Sequence, residues 1–315
     1  MRDTALSIRA MGPVEWTLLV GLSVLWGGSF FFFEVGLREL PPFTLVLGRV
    51  GLAAAVLLTV VYASGRRMPA DPKVLGGYLL LGGINNALPF SLIVWGQTEI
   101  PSGLASILNA TTPIFTIIVA HVFTSDDRMT PNRLLGIVFG VAGVAVLMGP
   151  DLLAGLNPYN LGQLSVLGAA FCYGFAANYG RRFHRQSPMV NAAGMLSGAT
   201  VWMLPLSLGL ERPWTLSLSP VGWGAVLGLA ILSTALAFMM YFRILAVAGA
   251  TNIALVTFLV PVSAISLGVM FLGESLAWSA FAGLGLIFLG IAAVDGRVLH
   301  LRRRQPAGGA TSTSG

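Results

Sequence analysis

Residues 16–33, WTLLVGLSVLWGGSFFFF, contain no charged side chain. A membrane-spanning helix needs about 20 predominantly apolar residues, so this stretch predicts one. Nine similar stretches follow, and one of them is interrupted by a single charge, that of Arg49. The ten stretches are Trp16–Phe33, Pro41–Gly65, Val74–Thr98, Ile100–Ser125, Leu134–Pro150, Leu152–Gly180, Gln186–Leu210, Pro213–Phe242, Ile244–Gly273 and Ser275–Val294. None shows the period-two alternation of a transmembrane β-strand. The sequence therefore predicts an all-α polytopic membrane protein with ten transmembrane helices.

The composition supports this class and excludes others. Of the 315 residues, 56% are hydrophobic and 10% are charged, whereas soluble domains carry about 25% charged residues. A soluble enzyme, a disordered chain and a nucleic-acid binder are thereby excluded. The single cysteine, Cys172, excludes a disulfide framework. The three histidines lie far apart in the sequence, so we expect no metal site and no cofactor.

The basic residues predict the orientation of the helices. With a cytoplasmic N-terminus, fifteen basic residues fall in inner loops or the C-terminal tail, and two, Arg38 and Arg212, fall in outer loops. Cytoplasmic loops of membrane proteins carry such an excess. We therefore expect both termini in the cytoplasm, and we attribute the basic pI of about 10.1 to topology.

The ends of the chain give three further expectations. The first apolar stretch lacks a small-residue cleavage site, so we expect a helix and not a removed signal peptide. Residues 298–315 are predicted to be a disordered cytoplasmic tail. The excess of arginine over lysine is typical of a high-GC genome and favours a bacterial inner membrane.

The two halves of the chain resemble each other at a separation of 147 or 148 residues. The matches are Trp26-Gly27 with Tyr173-Gly174, Ala87-Leu88 and Phe90 with Ala235-Leu236 and Phe238, Pro113 with Pro261, Asp126 with Glu274, and Gly136 and Gly143 with Gly283 and Gly290. Five helices are an odd number, so the second copy must be inverted in the membrane. Inverted repeats are typical of secondary transporters. We predict repeats at 14–150 and 160–297.

Trp26-Gly27-Gly28-Ser29-Phe30 resembles the Trp-Gly-Ser/Thr-x-Phe signature of the EamA repeat in the drug/metabolite transporter superfamily. Arg49, the matched prolines and Gly273-Glu274 add to the resemblance, which covers roughly residues 18–295. Ser125-Asp126-Asp127 departs from it. The resemblance implies a ten-helix carrier that exports small metabolites, and the branch it is most similar to exports aromatic and other neutral amino acids.

Arg49 is the one ionised side chain well inside a predicted span. At 1.5 Å per residue it lies about 12 Å below the outer end of its helix. Burying it costs about 2.5–3.5 kcal/mol on insertion scales, so something must offset that cost. It can bind a substrate carboxylate in bidentate fashion. Alternatively, it bonds helix carbonyls or pairs with Glu34.

Other polar and aromatic side chains inside the spans are candidates for a substrate cavity, because polar groups avoid lipid and aromatic walls suit amphipathic ligands. Interhelical hydrogen bonding and core packing are the alternatives. The candidates besides Arg49 are Trp26, Ser29, Asn85, Asn86, Ser91, Asn109, Thr112, Tyr173, Ser233, Thr234, Tyr241 and Asn252. The pairs Asn85-Asn86 and Ser233-Thr234 occupy matching repeat positions.

Proline and glycine residues suggest hinges and close helix contacts. Pro89, Pro113 and Pro261 lie inside helices, where they favour kinks, and are candidate gating hinges. Gly136 and Gly140, with Gly283, Gly285 and Gly290, suit close packing of predicted helices 5 and 10, either against each other or at a dimer face.

The function class follows from the repeat and from what the sequence lacks. No phosphate-binding G-x-x-x-x-G-K-[ST] loop is present, which excludes ATP hydrolysis by this chain. We predict a transporter, not an enzyme, with a small-molecule substrate, a lipid bilayer around it and no nucleic-acid partner, as a monomer or a dimer. The alternatives are a carrier for another metabolite class, an intramembrane enzyme or a channel.

Overall fold

A computed structural model describes residues 12–123, 129–149, 157–183 and 186–295, except for the side chains of residues 250, 251 and 295. All the regular elements in these ranges are helical. The helices are α1 (Pro13–Leu37), α2 (Pro42–Ala63), α3 (Pro72–Gln97), α4 (Ser102–Phe123), α5 (Pro131–Met148), α6 (Pro158–Gly180), α7 (Pro188–Glu211), α8 (Pro220–Gly249), α9 (Val256–Leu272) and α10 (Trp278–Asp295). The predicted tail, 298–315, lies outside the described residues.

Proline sets the start of most of these helices. Pro13, Pro42, Pro72, Pro131, Pro158, Pro188 and Pro220 each stand at the first helical position. That position leaves its N–H without an intrahelical partner, so the missing proton of proline costs nothing there. Helix α8 ends where Gly249 takes φ 78°, a conformation that side chains with a Cβ atom disfavour. The chain then reverses into α9.

Seven of the helices, α1–α5, α7 and α8, are long and apolar enough to cross a membrane. Helices α9 and α10 are apolar but shorter. Helix α6 has 23 residues and carries the fully buried polar residues Asn160 and Gln163, which lowers its apolar character. The chain is thus an all-helical, multi-pass membrane protein, while ten crossings and the orientation of the termini stay predictions.

The helix contacts obey a two-fold relation between the halves. Helix α1 packs on α8 and α9, and its counterpart α6 packs on α3 and α4, the counterparts of α8 and α9. Helix α2 packs on α8 as α7 packs on α3, and α2 and α7 also pack on each other. Helices α5 and α10 form the remaining self-related pair. The repeat found in the sequence is therefore also a repeat of packing.

Matched glycines make matched contacts at two of these interfaces. A Cβ atom on Gly27 would lie 2.8 Å from the backbone nitrogen of Ala264 in α9. A Cβ atom on Gly174 would lie 2.8 Å from the backbone nitrogen of Thr116 in α4. Real Cβ atoms do not approach this closely, so only glycine permits the spacing. The α1–α9 interface is thus repeated in the α6–α4 interface.

The α5–α10 interface shows that the repeats are inverted. A Cβ atom on Gly136 would lie 2.7 Å from the carbonyl oxygen of Gly290, and one on Gly143 would lie 2.8 Å from that of Gly283. Gly136 precedes Gly143 whereas Gly290 follows Gly283, so the two helices run antiparallel. Because they are counterparts, the second repeat is inverted relative to the first. Pairing of these helices with each other is confirmed, but close packing of Gly285 is wrong, since nothing lies within 4 Å of its Cβ position.

Three glutamates join the repeats at the end of the bundle that holds the α1–α2 turn, which we call the outer end after its predicted side. The Glu39 carboxylate accepts bonds from the Ser219 backbone N–H (2.8 Å) and hydroxyl (2.6 Å). Glu211 accepts from the backbone of Phe43 and Thr44, and Glu274 from that of Ser102 and Gly103. These helix N-termini favour negative charge. We call the three contacts the outer clamps.

Candidate functional site

Arg49 lies in the middle of α2, and 5% of its surface is exposed. Its helix packs against α7 on one side and against the π-helical segment Gly228–Leu236 of α8 on another. The guanidinium therefore lies between both repeats, at the depth where α1, α3 and α8 approach α2. Among the described residues Arg49 is the one charged side chain that is buried, and the fold surrounds it with polar and aromatic groups.

The guanidinium contacts two hydroxyls and two aromatic rings. Its Nε donates to Thr234 Oγ1 at 2.9 Å, and a terminal nitrogen donates to Ser29 Oγ at 3.4 Å. The central carbon lies 3.7 Å from the ring centroid of Phe90 and 4.9 Å from that of Phe33. Cations are attracted to aromatic faces at such distances. We call these five residues the Arg49 cluster.

The Arg49 cluster contains no anion. Among residues 12–123, 129–149, 157–183 and 186–295, Arg49 forms no ion pair with a carboxylate, so the alternative of a pair with Glu34 is wrong. Glu34 lies instead beside Gln97. A guanidinium has five N–H groups, and two of those of Arg49 are bonded here. The remaining donors and the uncompensated charge suit a carboxylate brought by a ligand.

The repeat-related polar pairs both lie in widened helix segments. Asn85 and Asn86 lie in the π-helical segment Gly83–Ala87 of α3, and Ser233 and Thr234 in the segment Gly228–Leu236 of α8. Pro89, which has no N–H, follows the first of these segments and removes one α-helical bond. Isolated π-helical turns are frequent at functional sites. The Thr234 hydroxyl makes two hydrogen bonds: it accepts from Arg49 and donates to the Leu229 carbonyl at 2.8 Å.

Three candidate residues carry a buried polar atom without a hydrogen-bond partner. These atoms are Asn86 Nδ2, Asn109 Oδ1 and Ser233 Oγ. Asn86 and Ser233 are each 1% exposed. Buried polar atoms in native proteins are almost always paired, so these three are available to a ligand or to water. Their helices, α3, α4 and α8, come from both repeats.

The aromatic candidates form two pairs between neighbouring helices. Trp26 of α1 and Tyr241 of α8 have ring centroids 5.6 Å apart. Tyr173 of α6 lies against Phe90, with centroids 6.5 Å apart, and thereby adjoins the Arg49 cluster. Both contacts are within the usual range for aromatic pairs. The structure thus brings Ser29, Thr234 and Tyr173 to Arg49 and places Trp26 with Tyr241.

The other candidates contact different groups. Asn85 and Ser91 face α7, where their side chains approach the sulfur atoms of Met195 and Met203. The Asn252 side chain donates to the Ala248 carbonyl, near the far end of α8. The Thr112 hydroxyl donates to the Asn109 carbonyl. Both bonds are local, and among the described residues neither of them reaches the Arg49 cluster.

The three candidate hinges have different surroundings. Pro113 follows a break in α4 at Ala110 and Thr111, which separates the segments Ser102–Asn109 and Thr112–Phe123. Pro89 follows the π-helical segment of α3. Pro261 lies inside the unbroken segment Val256–Leu267. A break in helical bonding thus accompanies Pro113 and a widened turn accompanies Pro89, while helix bonding continues around Pro261.

Sequence reasoning missed the two aromatic faces that hold the guanidinium. Phe33 and Phe90 are buried, with 1% and 6% exposure. Phe90 stands among the repeat matches, opposite Phe238, but phenylalanine in an apolar span is indistinguishable from core. Only the depth of Arg49 pointed to a need for stabilising partners nearby.

Two glutamates of the outer clamps, Glu39 and Glu274, connect helices to one another. Because Ser219 donates two bonds to it, the Glu39 carboxylate has a pKa below its ordinary value. The Glu274 carboxylate accepts hydrogen bonds from the first two residues of α4. Its counterpart Asp126 lies outside the described residues. In the part of the chain that the structure describes, no group of three or more metal-ligating side chains occurs.

A buried cation and unpaired polar atoms between two inverted helical repeats define a membrane transporter class, and comparisons with known proteins agree. The chain matches the EamA-like transporter family over residues 15–149 and 160–294. It belongs to that family, within the drug/metabolite transporter superfamily.

The relatives carry the same general description. The chain is 24% identical over 279 residues to the uncharacterized transporter YoaV of Bacillus subtilis, covering 87% of this chain and 94% of that one. It is 29% identical over 284 residues to the uncharacterized inner membrane transporter YedA of Escherichia coli, covering 88% and 89%. A solved crystal structure with 19% identity and a TM-score of 0.66 covers 92% of this chain and 99% of its own, which shows the shared fold.

Proposed function

We propose that this transporter is a secondary carrier that works by alternating access and exports small metabolites, namely aromatic or other neutral amino acids, across the bacterial inner membrane. Repeats at 14–150 and 160–297 supply two conformations of similar energy, because the inverted halves can exchange their packing. In this proposal both termini lie in the cytoplasm and all ten helices cross the membrane.

The observation that carries the substrate class is the buried charge of Arg49 without an anion beside it. An uncompensated buried cation is unfavourable, and the hydroxyls of Ser29 and Thr234 cannot neutralise it. A substrate carboxylate can take up the free N–H groups and cancel the charge. Since the site offers one cation, it favours a substrate with one carboxylate over one with several negative charges.

The surroundings of Arg49 favour an amphipathic substrate with an apolar part. Phe33, Phe90 and Tyr173 line the carboxylate end, and Trp26 with Tyr241 supplies a second aromatic surface. Pockets for small molecules combine such walls with a few polar groups. The unpaired atoms of Asn86 and Ser233 supply hydrogen-bonding capacity of the kind an α-amino group or a bridging water uses.

A carrier for another class of monocarboxylate is the second candidate, because Arg49 recognises the carboxylate and not the amino group. A channel is disfavoured by the close packing around Arg49. An intramembrane enzyme needs a metal or a nucleophile with a base, and neither arrangement occurs among the described residues of the Arg49 cluster.

Counterflow into proteoliposomes tests the proposal. Purified protein is reconstituted, the vesicles are loaded with one unlabelled amino acid, and uptake of the labelled compound is followed without ATP or an ion gradient. A panel of neutral amino acids, their decarboxylated amines and monocarboxylates lacking the amino group identifies the cargo. We expect saturable uptake of phenylalanine or another neutral amino acid. Uptake limited to amines would contradict the role of Arg49, and uptake of simple monocarboxylates alone would favour the second candidate.

A further inference from the structure

The bundle contains a cavity of about 320 Å³ that is separate from the Arg49 cluster. It lies between the start of α3 and the end of α6, at the end of the bundle opposite the outer clamps. Its walls include Lys73 and Val74 of α3, Tyr179 of α6, and Arg182, Phe183 and Gln186 from the turn that follows α6. Lys73 and Arg182 are exposed, so the cavity is open at this end.

Among the described residues that line this cavity, Lys73 and Arg182 are positively charged and none is negatively charged. The Arg182 guanidinium lies 4.9 Å above the ring of Tyr179, which orients it. Lys73 is the one lysine in the chain. The nearest acid along the chain, Asp71, accepts a bond from the backbone N–H of Lys73 at 2.9 Å and caps α3. The side-chain donors of Lys73 and Arg182 have no carboxylate within the lining.

The repeat provides a comparison for this cavity. The counterparts of α6 and α3 are α1 and α8, and these two helices meet at the outer end. Gln186 corresponds to Glu39 at the separation of 147 residues, and Lys73 and Arg182 correspond to Val221 and Val35. At the outer end the Glu39 carboxylate fills the space between the helices, and a Cβ atom on Gly222 would lie 2.5 Å from Glu39 Oε2. The opposite end therefore has glutamine in place of Glu39, gains the cations Lys73 and Arg182, carries Asp71 at the position of Ser219, and keeps an open cavity.

We infer that the cavity binds a phosphate group, either that of an anionic phospholipid headgroup or a free phosphate. Lys73 of α3 and Arg182 after α6 both line the cavity, so a tetrahedral anion bound there can accept charged hydrogen bonds from both. The position suits a headgroup. This end of the bundle is the predicted cytoplasmic end, and anionic lipids of the cytoplasmic leaflet attract basic side chains. The bound phosphate would lie between Lys73 and Arg182 and would make a connection like the one that Glu39 makes in the other half. It joins α3 to the turn after α6, as Glu39 joins the α1–α2 turn to α8.

The single lysine makes the test specific to this cavity. The full chain in detergent is treated with an amine-reactive acylating reagent, and the modification rate of Lys73 is measured by peptide mass spectrometry, with added butylamine as an internal reference. The probes are inorganic phosphate, dihexanoyl phosphatidylglycerol, and dihexanoylglycerol, which lacks phosphate. At a probe concentration about ten times its dissociation constant, we expect acylation of Lys73 to slow about tenfold.

Variants separate the cavity from general surface charge. Arg182→Gln should abolish most of the protection, whereas Arg67→Gln, which removes one exposed charge from the α2–α3 loop, should leave it unchanged. Protection by both phosphate probes indicates a general phosphate site, and protection by phosphatidylglycerol alone indicates a lipid site. The inference is overturned if neither inorganic phosphate nor dihexanoyl phosphatidylglycerol protects Lys73, or if dihexanoylglycerol protects it as well as they do. It is also overturned if protection is the same in Arg182→Gln and Arg67→Gln. None of these results depends on which substrate the carrier moves.

Discussion

Replacing Arg49 with glutamine removes the buried charge and keeps a side chain that can still donate hydrogen bonds. In the free protein, the variant loses the contacts to Thr234 at 2.9 Å and to the ring of Phe90 at 3.7 Å. The variant is also relieved of the free-energy cost of keeping a charge away from water. An isolated buried charge is costly to keep away from water, so its removal offsets the lost contacts. We therefore expect the unfolding free energy to change by no more than about 1 kcal/mol, the net contribution of a single hydrogen bond.

Substrate binding should respond far more strongly than folding. If a substrate carboxylate pairs with Arg49 in this buried setting, removal of one partner costs about 2–5 kcal/mol. That range corresponds to a loss of affinity of roughly 30-fold to several thousand-fold. Arg49→Lys keeps the charge but loses the planar fork and the stacking on Phe90, so its affinity should fall between those of the wild type and Arg49→Gln.

The assay measures binding of the amino acid found by counterflow and of its decarboxylated amine, for the wild type and Arg49→Gln, with thermal unfolding recorded for each protein. We expect wild type to prefer the amino acid and Arg49→Gln to bind both compounds with similar weak affinity. The matched control is Arg67→Gln, which removes an exposed charge outside the bundle. The reasoning is refuted if Arg49→Gln keeps its preference for the carboxylate. Loss of the folded state in both Arg49→Gln and Arg49→Lys would instead assign Arg49 to the structure of the bundle.

The other predictions concern the polar pair, the aromatic pair, the repeat interface and an outer clamp. Asn86→Leu and Trp26→Ala should each lower counterflow without lowering the yield of folded protein on size-exclusion chromatography, and wild-type rates in both would remove these residues from the site. Gly143→Ala should destabilise the protein by about 1–3 kcal/mol, because its Cβ would lie 2.8 Å from the Gly283 carbonyl oxygen, whereas Gly285→Ala, with open space around it, should leave the melting temperature unchanged or slightly raised. The Glu39 carboxylate in this clamp has a lowered pKa in the folded protein. Its ionised form therefore stabilises the fold at pH values above the ordinary pKa of 4.5, and this stabilisation is lost as the pH falls below that value. Glu39→Gln should therefore flatten the pH dependence of thermal stability in that acidic range, and an unchanged profile would contradict the clamp.

The architecture follows from patterns that are local in sequence. Apolar stretches between charged loops mark the helices, and proline at the first helical position fixes where several of them begin. The inverted repeat could be predicted because duplicated interfaces keep the same glycines, as at Gly27 and Gly174. The polar pair Asn85-Asn86 and its counterpart were found by the same comparison, although their π-helical backbone was not.

The parts that could not be predicted depend on contacts between distant residues. The outer clamp of Glu39 joins residues 180 positions apart, and no local pattern shows that a loop carboxylate will reach another helix terminus. Phe90 was missed because its role depends on the direction of its ring toward Arg49. The residue type of Asn252 predicts a place at the site, but its amide donates to the nearby Ala248 carbonyl at the end of α8. Polarity within a span predicts burial better than it predicts which polar groups meet.

Trans-stimulation in proteoliposomes tests alternating access most directly. Initial uptake of the labelled substrate is measured into vesicles that are empty or preloaded with the same unlabelled compound, over a range of external concentrations, with Arg49→Gln as the inactive control. We expect saturable uptake that is faster into preloaded vesicles and absent in Arg49→Gln, because the loaded carrier returns with substrate bound. Uptake that rises linearly with concentration, or that is unaffected by preloading, would contradict a carrier built from two exchangeable halves.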